Sequence, residues 1–164
     1  MQKKELITEQ GYFNFIKEFK NLLEKEKPFW VKEKEIAAQL GDRSENAEYI
    51  SAKEQIRNID KRLRFLDKII KTAEVINTYE IPHIKVNFGS IVELLDISSD
   101  EIKSFIIVGT YETNPSENKI SNKSPLGKTL LGKEQGEEFE FRINDNIFEY
   151  EVLSIKKYIF KKVE

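Results

Sequence analysis

Between Ser44 and Ala73 the apolar positions fall at Tyr49, Ala52, Ile56, Ile59, Leu63, Leu66, Ile70 and Ala73. They are separated alternately by three and four residues, the spacing of a heptad seam that packs one helix on another. Upstream, Tyr12, Ile16, Phe19, Leu23, Trp30, Ala37 and Leu40 fit the same grid, with charged Glu26 and Glu33 at two of its seam positions. Thr8 is suited to cap the first helix. Pro28, inside that helix, predicts a kink or short break, because it has no N–H to donate and its ring crowds the preceding turn. Gly41-Asp42-Arg43-Ser44 reads as a short turn, so the helices fold back as an antiparallel hairpin. A helix of about 30 residues is ~45 Å long, which makes the hairpin a rod.

The rhythm then changes. Ile91–Leu95 and Phe105–Val108 are rich in β-branched residues, and Glu138–Ile143 and Ile147–Val152 alternate apolar and polar around Asn144-Asp145-Asn146, a hairpin-turn signal. Ser124-Pro125 predicts a short helix with proline in its first turn, and Gly132 suits its end. A run of helices followed by a run of strands implies an α+β chain in two domains. The expected division is a hairpin over 1–76, a linker over 77–86 containing Ile81-Pro82-His83, and a sheet domain over 87–164.

Composition changes this picture in three ways. Charged residues make up 34% of the 164-residue chain, above the ~25% of ordinary domains, as long exposed helices require. The 27 basic and 29 acidic residues leave a net charge of −2, so any nucleic-acid contact needs a local basic patch rather than a global excess. The absence of cysteine excludes a disulfide framework and thiolate metal sites. The first residues run into a charged helical pattern without an apolar leader, and no apolar run approaches the ~20 residues of a membrane span. A cytoplasmic monomer with no membrane association is expected.

Two clusters carry candidate chemistry. Asp42, Glu45 and Glu48 gather at the far end of the hairpin. In one reading Asp42 caps the second helix and Glu45, three residues on, closes a capping box. In the other, the carboxylates hold a hard cation such as Mg²⁺, as part of a shell that a second party completes. Lys53, Arg57, Lys61, Arg64 and Lys68, spaced by four, four, three and four, share one helix face, with Arg43 and Arg62 adding charge. Such a face is either merely solvated or a stripe that tracks an RNA backbone through its phosphates. His83 is expected to be a linker residue rather than a catalyst, and Trp30 a packing residue.

The segment Gly41-Asp42-Arg43-Ser44-Glu45-Asn46-Ala47-Glu48-Tyr49 resembles the tip signature of the GreA/GreB family of bacterial transcript-cleavage factors. Ile59-Asp60-Lys61-Arg62-Leu63-Arg64-Phe65-Leu66-Asp67-Lys68 resembles the GreB branch in particular. Ile120 to Glu134, with Ser124-Pro125 at its centre, is similar to the family's Ser-Pro segment; Lys123 stands where relatives usually have Asp or Asn. The likeness runs from about Thr8 to Tyr158. It implies a coiled-coil hairpin inserted into the secondary channel of bacterial RNA polymerase, and an FK506-binding-protein-like domain gripping the channel rim through Ser124 and Pro125. Asp42 and Glu45 would help the polymerase hold a Mg²⁺ ion, which the isolated protein does not bind, and so promote hydrolysis of backtracked nascent RNA in the DNA-containing elongation complex. The protein would then supply part of an active site without being an enzyme itself. A non-catalytic channel binder that inhibits the polymerase would use the same rod, and only the tip chemistry separates the two.

Overall fold

A computed structural model describes residues 3–41 and 45–161. Two compact units emerge, Tyr12–Thr72 and a second unit joining Met1–Gly11 to Ala73–Glu164.

The first unit is the helical hairpin. Helix α1 (Glu9–Asn21) leads through one π-helical turn, Leu22–Glu26, into α2 (Lys27–Ala38), and α3 (Ala47–Thr72) returns. The break that Pro28 announces takes the form of that π turn. A proline at position 28 cannot satisfy the carbonyl four residues before it, and the chain absorbs the defect by widening one turn, with Lys27 N–H donating to Leu22 O five residues back. The extra residue shifts the seam. Leu22 is buried where Leu23 was expected and Leu23 is exposed, and Glu26 and Glu33 also face solvent. On α3 the expected seam holds at Ala52, Ile59, Leu63 and Leu66, joined by Ile69. Leu22, Ile59, Leu63 and Leu66 form the hairpin core, with Phe15, Phe19, Trp30 and Ile70 packed on it. Arg62 makes a forked ion pair with Glu18 (2.7 and 3.0 Å), and Lys27 pairs with Asp60 at 2.7 Å. These cross-links confirm the antiparallel sense. Arg62 is thus engaged across the hairpin rather than added to a basic face.

The second unit is a five-stranded sheet in the order β5-β4-β3-β7-β6. Its strands are β3 (Ser90–Asp96), β4 (Glu101–Val108), β5 (Lys119–Ser121), β6 (Glu138–Ile143) and β7 (Asn146–Lys157), with the short helix α4 (Pro125–Leu130) before β6. All pairs are antiparallel except β4 with β5. The β6–β7 hairpin turns at Asn144, which takes the left-handed φ of 54° that asparagine tolerates. One face of the sheet carries the main core, including Val92, Leu94, Ile107, Leu130, Phe141 and Val152. The other buries Ile106 and Val108 under Phe160. Covering both faces explains why Ile106-Ile107-Val108 is a continuous apolar run rather than an alternating one. The α+β expectation holds.

The domain boundaries differ from the expected ones. Residues Leu6–Thr8 form a strand, β1, parallel to β2 (Glu74–Ile76), so the chain's start belongs with the sheet unit instead of the hairpin. The stretch 77–86 is no loose linker either. Thr78 and Val86 are buried, and His83 donates from Nε2 to Thr78 O (2.7 Å) while its Nδ1 meets Ser90 Oγ (2.6 Å). His83 is a staple between loop and strand, built into the sheet unit.

Candidate functional sites on the hairpin and the Ser-Pro turn

The hairpin tip is organised by Asn46. Its Oδ1 accepts from Tyr49 N–H (3.1 Å), the N-cap bond of α3, and Ile50 N–H makes the first helical bond to Asn46 O (3.0 Å). From the same side chain, Nδ2 donates to Ala37 O (2.7 Å), a carbonyl at the end of α2 that also accepts from Leu40 N–H (3.1 Å). One amide therefore ties the end of one helix to the start of the next. The capping-box reading of Asp42 with Glu45 is corrected at Glu45. That residue lies one position ahead of the cap, outside α3, and is exposed. Asp42 and Arg43 lie outside the described residues. Glu45 and Glu48 line a concavity of about 480 Å³ with Leu40, Gly41, Asn46 and Ala47. Two carboxylates on an open rim suit a partial oxygen shell for a hard cation, with water and other parties supplying the rest.

The basic face divides. Lys53, Arg57, Lys61, Arg64 and Lys68 are all exposed. Lys53, Arg57 and Arg64 line one groove of about 270 Å³ with Ile56 and Asp60 of α3, and Lys34 reaches the same groove from α2. Lys61 and Lys68, further round the helix, are not among its lining residues. Arg57 makes an exposed pair with Glu54 (3.1 Å), and Lys53 lies over the Tyr49 ring at 5.7 Å. Exposed pairs of this kind contribute little to stability, which leaves these cations exchangeable for other anions. Sequence reasoning missed Lys34 because the grid placed Glu33 at the seam, whereas Glu33 is exposed and Lys34 is half-buried.

At the Ser-Pro turn, structure and candidate function share residues. Ser124 caps α4, its Oγ accepting from Gly127 N–H (3.0 Å) and donating to Ser121 O (2.7 Å). Pro125 opens the helix and is exposed. A Cβ at position 127 would stand 2.0 Å from Ser121 O, so only glycine permits this approach. Lys123 pairs with Glu5 at 2.6 Å, an ion pair that links the turn to the segment preceding β1.

Comparison with known proteins adds the family. Residues 5–75 match the model described as "Transcription elongation factor, N-terminal", and residues 81–157 match "Transcription elongation factor, GreA/GreB, C-term". The chain is 43% identical to transcription elongation factor GreA of a Nitratiruptor species, over 94% of each protein. It is 41% identical to GreA of Lachnoclostridium phytofermentans, over 95% of this chain and 98% of that one. A solved structure of GreA factor homolog 1 (Gfh1) from Thermus thermophilus is 26% identical over 94% of this chain and 99% of that one, with a TM-score of 0.44. These relatives carry the name GreA, so the resemblance of Ile59–Lys68 to the GreB branch finds no support in them. On both family models and on these identities, the chain belongs to the GreA/GreB family of transcription elongation factors.

Proposed function

We propose that the protein enters the secondary channel of bacterial RNA polymerase hairpin first and stimulates the polymerase's own cleavage of backtracked RNA. The observation that carries this reading is the division of work at the tip. Asn46 does the capping, so the exposed Glu45 carboxylate has no part in holding α3. With Asp42 it would complete the polymerase's hold on a Mg²⁺ ion. Such an ion, when bound, lowers the pKa of an attacking water and stabilises a leaving oxygen. The chain's own contribution is to present the carboxylates at the end of a hairpin whose two helices Asn46 ties together. Lys53, Arg57 and Arg64, with Lys61 and Lys68 beside them, would follow the extruded RNA through phosphate contacts. Ser124 and Pro125 would dock on the channel rim.

The test uses a stalled, backtracked elongation complex, with RNA release and competition binding measured side by side. Glu45→Gln and Asp42→Asn should each reduce cleavage while leaving docking intact. Cleavage at the wild-type rate by either variant would remove that residue from the metal-holding role. Wild-type protein that docks, blocks nucleotide entry and stimulates no cleavage would establish the inhibitory alternative.

A further inference from the structure

We infer that the groove beneath the basic face reads the sugar as well as the phosphate: Asp60 accepts a hydrogen bond from a ribose 2′-hydroxyl and makes this surface selective for RNA over DNA. The inference rests on the proposed nucleic-acid role of that face and goes one step beyond it.

The groove is lined by four cations (Lys34, Lys53, Arg57 and Arg64), one apolar side chain (Ile56) and one acid (Asp60). Four cations alone take any phosphodiester, because phosphate contacts carry no information about the sugar. A carboxylate among them repels phosphate and needs a reason to be there. Lys27, reaching across from α2, binds Asp60 Oδ1 at 2.7 Å. That contact offsets the negative charge and fixes the direction of the carboxylate. Its second oxygen remains an acceptor, on a side chain about one-third exposed (35%) and therefore within reach of a ligand. A carboxylate only accepts, so its complement is a hydroxyl or amine donor. On a nucleic-acid backbone the donor is the 2′-hydroxyl, the group by which proteins tell RNA from DNA. Ile56 supplies an apolar floor for the sugar or base above. At about 270 Å³ the groove is smaller than the ~300–1,000 Å³ of pockets that enclose drug-sized ligands, and suits a strand passing over it. An elongation complex offers single-stranded DNA as well as RNA, so a purely cationic arm would be open to both.

The test uses the full-length protein and three fluorescein-labelled decamers at low salt: oligouridylate, its 2′-O-methyl form and oligodeoxyuridylate. Anisotropy titration should show oligouridylate bound about fivefold more tightly than either analogue, as loss of one hydrogen bond to a partly exposed charged acceptor predicts. Asp60→Leu should abolish the preference. The Arg57→Ala/Arg64→Ala double variant should weaken all three ligands equally and flatten the salt dependence. Equal wild-type affinity for oligouridylate and its 2′-O-methyl form overturns the role of Asp60, and needs no variant to fold. Retention of the preference in Asp60→Leu, with an unchanged circular dichroism spectrum, overturns it as well. An unchanged affinity and salt slope in the double arginine variant, or no oligouridylate binding by the wild type, overturns instead the nucleic-acid role on which the inference rests.

Discussion

Glu112 and Glu45 both stand near the start of a helix, and the protein uses them in opposite ways. Glu112 sits in a 3₁₀ turn (Thr110–Glu112) and reaches the first turn of α1. There Oε2 accepts from Thr8 N–H and Gly109 N–H, at 3.0 Å each, and Oε1 meets the Thr8 hydroxyl. That hydroxyl in turn caps α1 by accepting from Gly11 N–H (3.0 Å). The fit is tight enough that a Cβ at Gly11 would lie 2.0 Å from Oε1. Glu45, by contrast, is exposed ahead of a helix that Asn46 already caps. An acid near a helix start is therefore neither structural nor functional by position alone. What decides is whether buried donors depend on it.

The sharpest way to break this comparison is to remove both side chains. Glu112→Ala strands two amide donors and the Thr8 hydroxyl in a largely buried place and should cost about 3 kcal/mol. Glu45→Ala, at its exposed position, should cost less than about 0.5 kcal/mol. Urea unfolding of the two variants measures both; equal losses would erase the distinction. On function the order reverses. Glu45→Gln should lower cleavage stimulation about 100-fold, equivalent to ~2.7 kcal/mol of barrier, with unfolding unchanged.

A smaller effect sharpens the comparison at the two other caps. Asn46→Ala and Ser124→Ala should each destabilise by about 1 kcal/mol. Ser124 is proposed both to cap and to dock, so its alanine variant mixes two losses. Ser124→Asn keeps a capping oxygen and separates them. Polymerase binding restored by asparagine would reduce Ser124 to a structural residue, whereas binding still lost would assign it a direct contact.

How much of this was legible follows from where the determinants lie. The α3 seam was plain, because 26 residues of one helix repeat a single period. On α1–α2 the grid failed at Leu23 and Leu40, which are exposed, and held at Trp30 and Ala37. Pro28 announces a break, but its form, one widened turn upstream, depends on how the neighbouring helix packs. Hence Leu22 replaces Leu23, and Lys34 enters the groove unannounced. Strands β1, β2 and β5 have three residues each, too few to show a period of two, and they exist because distant segments pair with them. At the tip, Asp42 and Asn46 are both good caps by residue type. Only the hydrogen bonds from Tyr49 and Ile50 give the role at the start of α3 to Asn46.

The smallest expected effect concerns the proton on Glu112. Burial pushes its carboxyl above the ordinary range, against the opposing pull of the Thr8 hydroxyl, the Thr8 and Gly109 amides and the charge of Lys119. The folded protein therefore holds this proton more tightly than the unfolded chain does. Its contribution is fully present below the ordinary glutamate value of about 4.3 and is lost as pH rises through the raised folded value. The site accommodates both states. In the ionised form the Thr8 hydroxyl donates to Oε1; in the protonated form Oε1–H donates to the hydroxyl, which still accepts from Gly11 N–H. Glu112→Gln reproduces the protonated pattern, with its amide nitrogen donating to Thr8 and its oxygen accepting both backbone amides. The stability of Glu112→Gln relative to wild type should consequently increase with pH from about 4.3 upward and level off once wild-type Glu112 is fully ionised. Every other titrating group is common to the two proteins, so urea midpoints taken in parallel across this range isolate the effect. A flat difference would mean that the three donors and Lys119 balance burial, and a difference that falls with pH would mean that they outweigh it.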